Sequence, residues 1–236
     1  MLVAAALCPC PPLLVPEVAA GAAPELDALR AACLDAIGVL AAARPDRLVV
    51  LGPTDESGRG GYPQGAIGSF HGFGVDFEVP LGAAETAADR ELPPSLSVGA
   101  WLLSRTDWDD APVQALGVPR SLPRDRCLEL GRETAAAAPR VALLVLGDGS
   151  ACRTVKAPGY FDERAEGFDA EVARALGNAD IAALAALGEE RAADLQASGR
   201  ACWQVLAGAA EGTEHSGRLL REEAPYGVGY FVAAWS

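Results

Sequence analysis

Short apolar runs of strand length alternate along this chain with segments of helical spacing, and this alternation constrains the fold most strongly. Val141–Leu146 is the clearest run, with apolar residues throughout and a glycine-rich turn directly after it. Leu2–Leu7 and Leu48–Leu51 are similar, and each leads into a proline-containing segment. Runs this short and this apolar are typical of strands that are buried on both faces of a sheet.

Between these strands, apolar residues recur at the spacing of one helix face. The segment from Leu26 to Leu40 is the best example, and Pro24 stands where a first helical turn tolerates proline. Asp180 is placed to cap a helix whose apolar face runs from Ile181 to Leu195. Further helices are predicted over Leu96–Leu103, Arg124–Ala138, Phe161–Leu176 and Gln204–Ala210, and further strands over Phe70–Val79, Val113–Leu116 and Tyr226–Ala234. The polar, glycine-rich stretch from Thr54 to Gly68 is predicted to be a loop.

Strands and helices alternate over the whole chain, without a low-complexity linker and without an internal repeat. This order is typical of an α/β fold in which helices flank a central sheet. A length of 236 residues is common for one such unit. The sequence therefore predicts a single domain, residues 1–236, built as an α/β sandwich around a mostly parallel or mixed sheet.

Acidic side chains outnumber basic ones by 32 to 19, which gives a net charge of −13, and Lys156 is the only lysine. A surface of this sign repels phosphate backbones and anionic lipids, so nucleic acid and membranes are unfavourable partners. Met1–Leu7 lacks the basic flank of a signal peptide, and no apolar stretch approaches the length of a membrane span. Six cysteines in a chain this long do not indicate a disulfide framework. These features predict a cytoplasmic protein.

Four segments, in chain order, resemble the motifs of one family: Cys8–Glu17, Val49–Asp55, Leu146–Asp169 and Ala224–Tyr230. The first reads C-P-C-P-P-L-L-V-P-E and is similar to x-P-H-P-P-L-L-I-P-E, and the second reads V-V-L-G-P-T-D and is similar to V-V-I-S-P-H. The third contains the G-D-x-S, A-P, Y and F-D elements, and the fourth resembles the closing strand. The chain thus resembles the LigB-like superfamily, which holds class III extradiol ring-cleavage dioxygenase catalytic subunits and MEMO proteins. The resemblance implies a LigB-like α/β fold.

The resemblance also implies non-haem Fe(II) held by two histidines and a carboxylate, with a further histidine as acid or base. In this chain the two metal histidines fall on Cys10 and Thr54, and the acid–base histidine falls on Ala151. The carboxylate would come from Glu222 or Glu223. Alanine cannot transfer a proton, and threonine is a poor ligand for Fe(II). We therefore expect no ring-cleavage activity, no resident cofactor, and a non-catalytic binder of a small molecule or a protein.

A different chemistry is the alternative. If the resemblance holds, Cys8, Cys10 and Cys152 approach the former metal site, and three thiolates would select zinc or copper(I) over Fe(II). The chain would then be an oxidoreductase or another enzyme with a thiolate-containing metal site in the same crevice. The simpler interpretation is that these cysteines are small, buried apolar residues. Because extradiol dioxygenases of this class are often oligomeric, the resemblance also allows a homo-oligomer.

Other side chains are candidates by position. Asp148 lies between glycines directly after a buried strand, where it either lines an α/β crevice or bonds its own loop amides. His71 is a candidate replacement ligand or proton shuttle, although an exposed or hydrogen-bonded histidine is the simpler interpretation. His215 lies in a polar stretch and is expected to face solvent. The candidate ligand-binding set is Cys10, Thr54, Asp55, His71, Asp148 and Glu223, and the vestigial catalytic set is Asp148, Ala151 and Cys152.

Overall fold

The structure, a computed structural model, describes residues 1–83 and 90–236. The strands of this part are β1 (Leu2–Cys8), β2 (Arg47–Thr54), β3 (Gly60–Tyr62), β4 (Ile67–Ser69), β5 (Glu78–Pro80), β6 (Val113–Pro119), β7 (Val141–Leu146), β8 (Gly217–Glu223) and β9 (Tyr230–Trp235). The helices are α1 (Pro16–Ala19), α2 (Asp27–Ala42), α3 (Pro94–Ser104), α4 (Arg124–Ala136), α5 (Arg164–Gly177), α6 (Ile181–Ala185), α7 (Glu189–Asp194) and α8 (Arg200–Ala209). In the residues described, no helix has the length and apolar character needed to cross a membrane.

Seven strands form one sheet in the order β3-β6-β2-β7-β1-β9-β8. The four neighbours β6, β2, β7 and β1 run parallel, whereas β3, β9 and β8 pair antiparallel at the two sides. Strands β4 and β5 form a separate antiparallel pair. The predicted α/β fold, with a mostly parallel or mixed central sheet flanked by helices, is confirmed.

Helices cover both faces of this sheet, because side chains along the strands point alternately into two hydrophobic clusters. In β1, Ala4 and Ala6 belong to the cluster shared with α2 and α3, whereas Ala5 and Leu7 belong to the cluster shared with α5 and α8. Every residue of β7 is buried, as expected for a central parallel strand with an uninterrupted apolar sequence.

The connections leave the parallel strands toward opposite faces. Strands β1 and β2 lead to α2 and α3 on one face, whereas β6 and β7 lead to α4 and α5 on the other. Because β1 lies beside β7, and β2 beside β6, the loops after neighbouring strands separate at the carboxyl edge of the sheet. In α/β folds, this separation opens a crevice in which ligands bind.

The prediction of one strand over Phe70–Val79 is wrong. A short 3₁₀ turn forms at His71–Phe73, and only the three residues of β5 are extended. The rings of Phe70 and Phe77 stack with centroids 5.6 Å apart, so the aromatic residues pack on one another across a turn. Gly74 follows with a φ of 80°, a left-handed conformation that glycine adopts without strain.

The C-terminal half also differs from prediction at β8 and in the helix after Asp180, and β9 begins at Tyr230 rather than at the predicted Tyr226. Strand β8 was missed because it is an edge strand with mixed burial and no apolar run. Asp180 caps α6 as predicted, and its Oδ1 accepts the N–H of Ala183 at 2.9 Å. The helix expected from Ile181 to Leu195 is instead two short helices, α6 and α7, with Gly188 at the start of the second.

Candidate functional site

A cavity of about 680 Å³ opens at the carboxyl edge of the parallel strands, and we call it the crevice. Cys10 reaches it from the loop after β1, Thr54 from the end of β2, and Arg120 from the position directly after β6. Ser198, just before α8, and the segment Arg90–Ser95, which leads into α3, complete much of the lining. The strand order therefore gathers residues from distant parts of the chain.

Asp148 follows β7 and joins two of these loops. Its Oδ1 accepts the backbone N–H of Cys10 at 2.8 Å. Its own backbone N–H donates to Oγ of Ser198 at 3.0 Å, and its carbonyl accepts the N–H of Gly199 at 2.9 Å. Asp148 thus stands, half-buried, directly behind two residues that line the crevice.

Burial sets the protonation of this group. It raises the pKa of the Asp148 carboxyl to about 6, although the Cys10 N–H and the Arg120 guanidinium oppose the shift. Burial also raises the pKa of the Cys10 thiol, and the negative charge of Asp148 adds to that shift. The thiolate is the reactive form of cysteine, so Cys10 is held as a neutral thiol rather than as a nucleophile.

Thr54 and Asp55 end β2 and begin the following loop. Thr54 is buried. The carboxylate of Asp55 turns back to its own loop, where it accepts the Ser57 hydroxyl at 2.7 Å and the N–H groups of Ser57 and Gly58, each at 3.1 Å. The hydroxyl contributes most to the lowered pKa of Asp55. Asp55 therefore lines the crevice, as the sequence suggested, with its Oδ1 already engaged by its own loop.

Arg90 brings positive charge to the lining. Its guanidinium donates to the carbonyls of Gly61 at 3.2 Å and Arg59 at 2.9 Å. The same group lies over the Tyr62 ring, 4.0 Å from its centroid, in a cation–π contact. Arg90 is thus fixed against the wall of the crevice.

Arg120 is the second basic residue of the lining. Its backbone N–H donates to the carbonyl of Thr54 at 2.9 Å, and its own carbonyl accepts from the guanidinium of Arg200. Arg200 is buried and also donates to the carbonyl of Leu122 at 2.6 Å and to Oε1 of Gln204 at 3.0 Å. The backbone of Arg120 is therefore held on both sides, while the residue is exposed and lines the crevice.

The two histidines of the chain lie away from the crevice lining. His71 is exposed, with Nε2 2.8 Å from Oδ1 of Asp76. His215 is half-buried rather than solvent-facing: its ring lies 6.2 Å from that of Trp235, and Nε2 is 2.9 Å from Oγ1 of Thr213. Burial lowers the pKa of His215. Neither imidazole is positioned to serve the crevice.

Cys152, which follows Ala151, packs on the other side of the sheet from Cys8 and Cys10. The backbone N–H of Ala151 donates to the carbonyl of Leu195 at 2.8 Å, and Sγ of Cys152 lies 3.5 Å from the same oxygen. Cys152 belongs to the hydrophobic cluster of α5 and α8, whereas Cys8 and Cys10 belong to that of α2 and α3. The structure does not bring the three thiols together.

Glu223 ends β8, directly across from Tyr230 of β9. Its Oε2 accepts Nε–H of Arg221 at 2.5 Å. Burial raises the pKa of the Tyr230 hydroxyl, and the carboxylates of Asp148 and Glu223 add to the shift. Glu223 therefore lies within electrostatic reach of the residues behind the crevice, although it does not line the cavity.

The crevice does not fit the iron that the family resemblance implies. Cys10 supplies a buried thiol and Thr54 a hydroxyl, whereas the facial triad takes two imidazoles and a carboxylate around open coordination positions. Within residues 1–83 and 90–236, no group of three or more His, Cys, Asp or Glu side chains is arranged to hold a metal ion. We therefore derive no reaction step through iron.

Comparison with known proteins supports the fold alone. No protein-family model matches the chain, and no curated protein matches it. Among solved structures, the crystal structure of uncharacterized protein JW3007 from Escherichia coli K12 matches over 99% of both chains, with a TM-score of 0.50 and 14% sequence identity. This likeness agrees with the α/β architecture and carries no information about activity.

Sequence reasoning missed several residues at or near the crevice, among them Arg90, Arg120, Ser198 and Tyr230. Arg120 had a usable signal, because it follows the strand predicted at Val113–Leu116 and crevices open where parallel strands end. Ser198 had none, because only the tertiary fold brings the turn before α8 against the loop after β7.

Proposed function

We propose that this chain is a divergent member of the LigB-like superfamily that binds a small molecule in the crevice and does not open aromatic rings with Fe(II). The observation that carries the proposal is the side-chain chemistry of the crevice. Cys10 and Thr54 stand where the resemblance expects imidazoles, and the rings of His71 and His215 lie elsewhere.

The shape of the crevice favours a small molecule over a protein partner. Its volume of about 680 Å³ falls within the usual range of ligand pockets, roughly 300–1,000 Å³. The lining combines apolar residues such as Pro12, Pro53 and Leu92 with many polar and charged side chains, which can orient a ligand by hydrogen bonds.

The thiolate-metal alternative has less support. Cys152 packs in the hydrophobic cluster opposite that of Cys8 and Cys10. Burial raises the pKa of the Cys10 thiol and so disfavours the form that binds metals. No contact of the described residues favours this second function, so we propose only the first.

Iron chemistry is tested by loading purified protein with Fe(II) under anaerobic conditions, adding catechol and oxygen, and following oxygen uptake and ring-opened product. We expect both rates to equal those of free Fe(II) at the same concentration. Ring opening that exceeds this blank and is lost in Cys10→Ser would contradict the proposal.

Binding is tested by thermal unfolding against a library of small molecules, with one variant that fills the crevice. Ser57 is exposed and lines the cavity, so Ser57→Trp should block it, whereas Ser216→Trp places the same side chain on an exposed site outside the lining. We expect stabilising compounds whose effect disappears in Ser57→Trp and persists in Ser216→Trp. Stabilisation that survives the blocking variant would place the ligand elsewhere and overturn the proposal.

A further inference from the structure

Several acceptor oxygens around the crevice are already engaged by the protein itself. The Asp55 carboxylate accepts three hydrogen bonds from its own loop. Oδ1 of Asp148 accepts the Cys10 N–H. The carbonyl of Pro53 accepts the Ser95 hydroxyl at 2.7 Å. A ligand that donates to these three oxygens would therefore compete with bonds that the fold already makes.

The guanidinium of Arg120 is a strong hydrogen-bond donor of the lining, and it is not paired with a carboxylate of the described residues. Among the described residues, no carboxylate oxygen lies within 4.0 Å of the Arg120 guanidinium. Its backbone is fixed by Thr54 on one side and Arg200 on the other. Fixing the backbone in advance lowers the entropic cost of binding, and guanidinium is well suited to pair with carboxylate or phosphate.

Arg200 places a second positive charge beside Arg120. Arg200 is only 4% exposed, and the partners of its guanidinium described above are neutral oxygens of Leu122, Gln204 and Arg120. In the part of the chain that the structure describes, no carboxylate contacts this buried cation, so its charge adds positive potential that opposes the negative potential of Asp55 and Glu91 in the lining. Arg120 and Arg200 also line a smaller neighbouring cavity of about 320 Å³.

Ser198 adds a hydroxyl to the same region of the lining. Its Oγ accepts the Asp148 N–H, which uses an oxygen lone pair and leaves the hydroxyl proton for another acceptor. Ser198 and Arg120 both line the crevice, so a guanidinium and a hydroxyl donor are offered to one ligand.

We infer that the crevice binds a small molecule with an apolar body and one anionic group, a carboxylate or a phosphate, which pairs with the Arg120 guanidinium. The apolar body lies against Pro12, Pro53 and Leu92. This inference rests on the proposed function and adds the chemical class of the ligand.

The test compares probes of matched shape by isothermal titration and thermal unfolding: benzoate, neutral benzamide, cyclohexanecarboxylate and inorganic phosphate. We expect the carboxylates, phosphate or both to bind and stabilise the protein, and benzamide to bind at least tenfold more weakly than benzoate. The carboxylate and phosphate arms distinguish the two kinds of anionic group, and the cyclohexane arm shows whether the apolar body must be aromatic.

Three variants locate the anion. Arg120→Gln should weaken anion binding about tenfold, the approximate effect of losing one charge-assisted pair, and Arg120→Lys should recover part of it. Arg218→Gln is the matched control, because Arg218 is an exposed arginine on the edge strand β8. We expect no change in that variant.

Three results would each overturn the inference. The first is equal affinity for benzoate and benzamide, and the second is equal anion affinity in Arg120→Gln and the parent protein. The third is that no anionic probe binds. These failures differ from failure of the proposed function, which would show as iron-dependent ring opening or as ligands that still bind Ser57→Trp. A neutral compound that is blocked by Ser57→Trp would sustain the binding function and contradict the anionic class.

Discussion

Two aspartates contact the short segment after β7 or belong to it, and their surroundings differ sharply. Asp169 is fully buried and accepts the N–H and the hydroxyl of Ser150, both at 2.8 Å, and Nη1–H of Arg153 at 3.2 Å. Asp148 is half-buried and its carboxylate accepts one backbone N–H, that of Cys10, at 2.8 Å. One carboxylate is saturated by the protein, and the other is held beside the crevice with acceptor capacity to spare.

The difference separates a structural region from a binding region. The Asp169 network ties the loop after β7 to α5, and Gly149 and Gly229 lie so close that an added Cβ would come within 2.7 Å and 2.5 Å of its carboxylate. Such a network stabilises one arrangement of the loop. The crevice keeps Arg120 and Ser198 available to a ligand, and the exposed Arg120 side chain should matter little for folding.

The largest expected effect is on the saturated side. Asp169→Ala removes the acceptor of three hydrogen bonds and leaves buried donors unsatisfied, so it should lower the free energy of unfolding by about 3–5 kcal/mol. Urea denaturation measures this loss. Asp35→Ala, at an exposed acidic position of α2, is the control and should change stability by less than about 0.5 kcal/mol. Similar losses of unfolding free energy in the two variants would show that Asp169 has no special structural role.

The next effect depends on pH and concerns Asp148. Its folded pKa of about 6 lies above the ordinary value of 3.8, so the protonated form is favoured in the folded state. Its contribution to stability is therefore complete below pH 4 and is lost as pH rises through 6. Asp148→Asn removes this dependence and should be more stable than the parent by up to about 3 kcal/mol at pH 7, but not at pH 4. A difference that does not change with pH would contradict the raised pKa.

A smaller effect should follow from crowding the saturated network. Gly229→Ala places a Cβ within 2.5 Å of Oδ2 of Asp169, and overpacking of this kind costs about 1–3 kcal/mol. Gly21→Ala is the matched control, since its Cβ would meet no atom within 4 Å. Thermal unfolding of the two variants compares them directly. A loss at Gly21 as large as that at Gly229 would show that close packing at Asp169 is not the cause.

The smallest effect on stability is expected on the crevice side. Arg120→Gln should change the free energy of unfolding without ligand by less than about 0.5 kcal/mol, because the side chain is exposed and its backbone anchors remain. Urea denaturation at pH 7 provides the measurement. A loss of unfolding free energy of about 2 kcal/mol or more would show that Arg120 stabilises the fold, and would contradict the difference between the two regions.

Sequence reasoning worked where one physical effect dominated. Val141–Leu146 was predicted to the residue, because a strand buried on both faces requires an uninterrupted apolar run. It failed where packing decided the outcome. The aromatic residues of Phe70–Val79 stack across a turn instead of forming a strand. Strand β8 lies at the edge of the sheet and therefore has no apolar run that would identify it. The carboxyl edge of the sheet could be anticipated from the order of the strands.

The candidate site was predicted in part. Cys10, Thr54 and Asp55 line the crevice and Asp148 lies behind it, because each ends or follows a parallel strand. His71, Ala151, Cys152 and Glu223 do not line it, since the partners of a loop or an edge strand depend on tertiary contacts that one sequence does not encode visibly. The identity of Arg120 and Ser198 as available donors required the hydrogen-bond pattern of the folded chain.

The central claim is that the crevice is a binding site without the ligands for ring-opening iron. Anomalous diffraction at the iron absorption edge, from crystals of the protein soaked anaerobically with Fe(II), tests this claim most directly. We predict no anomalous peak between Cys10, Thr54 and Asp148. A peak at full occupancy, coordinated by those side chains or by an imidazole drawn into the crevice, would contradict the account.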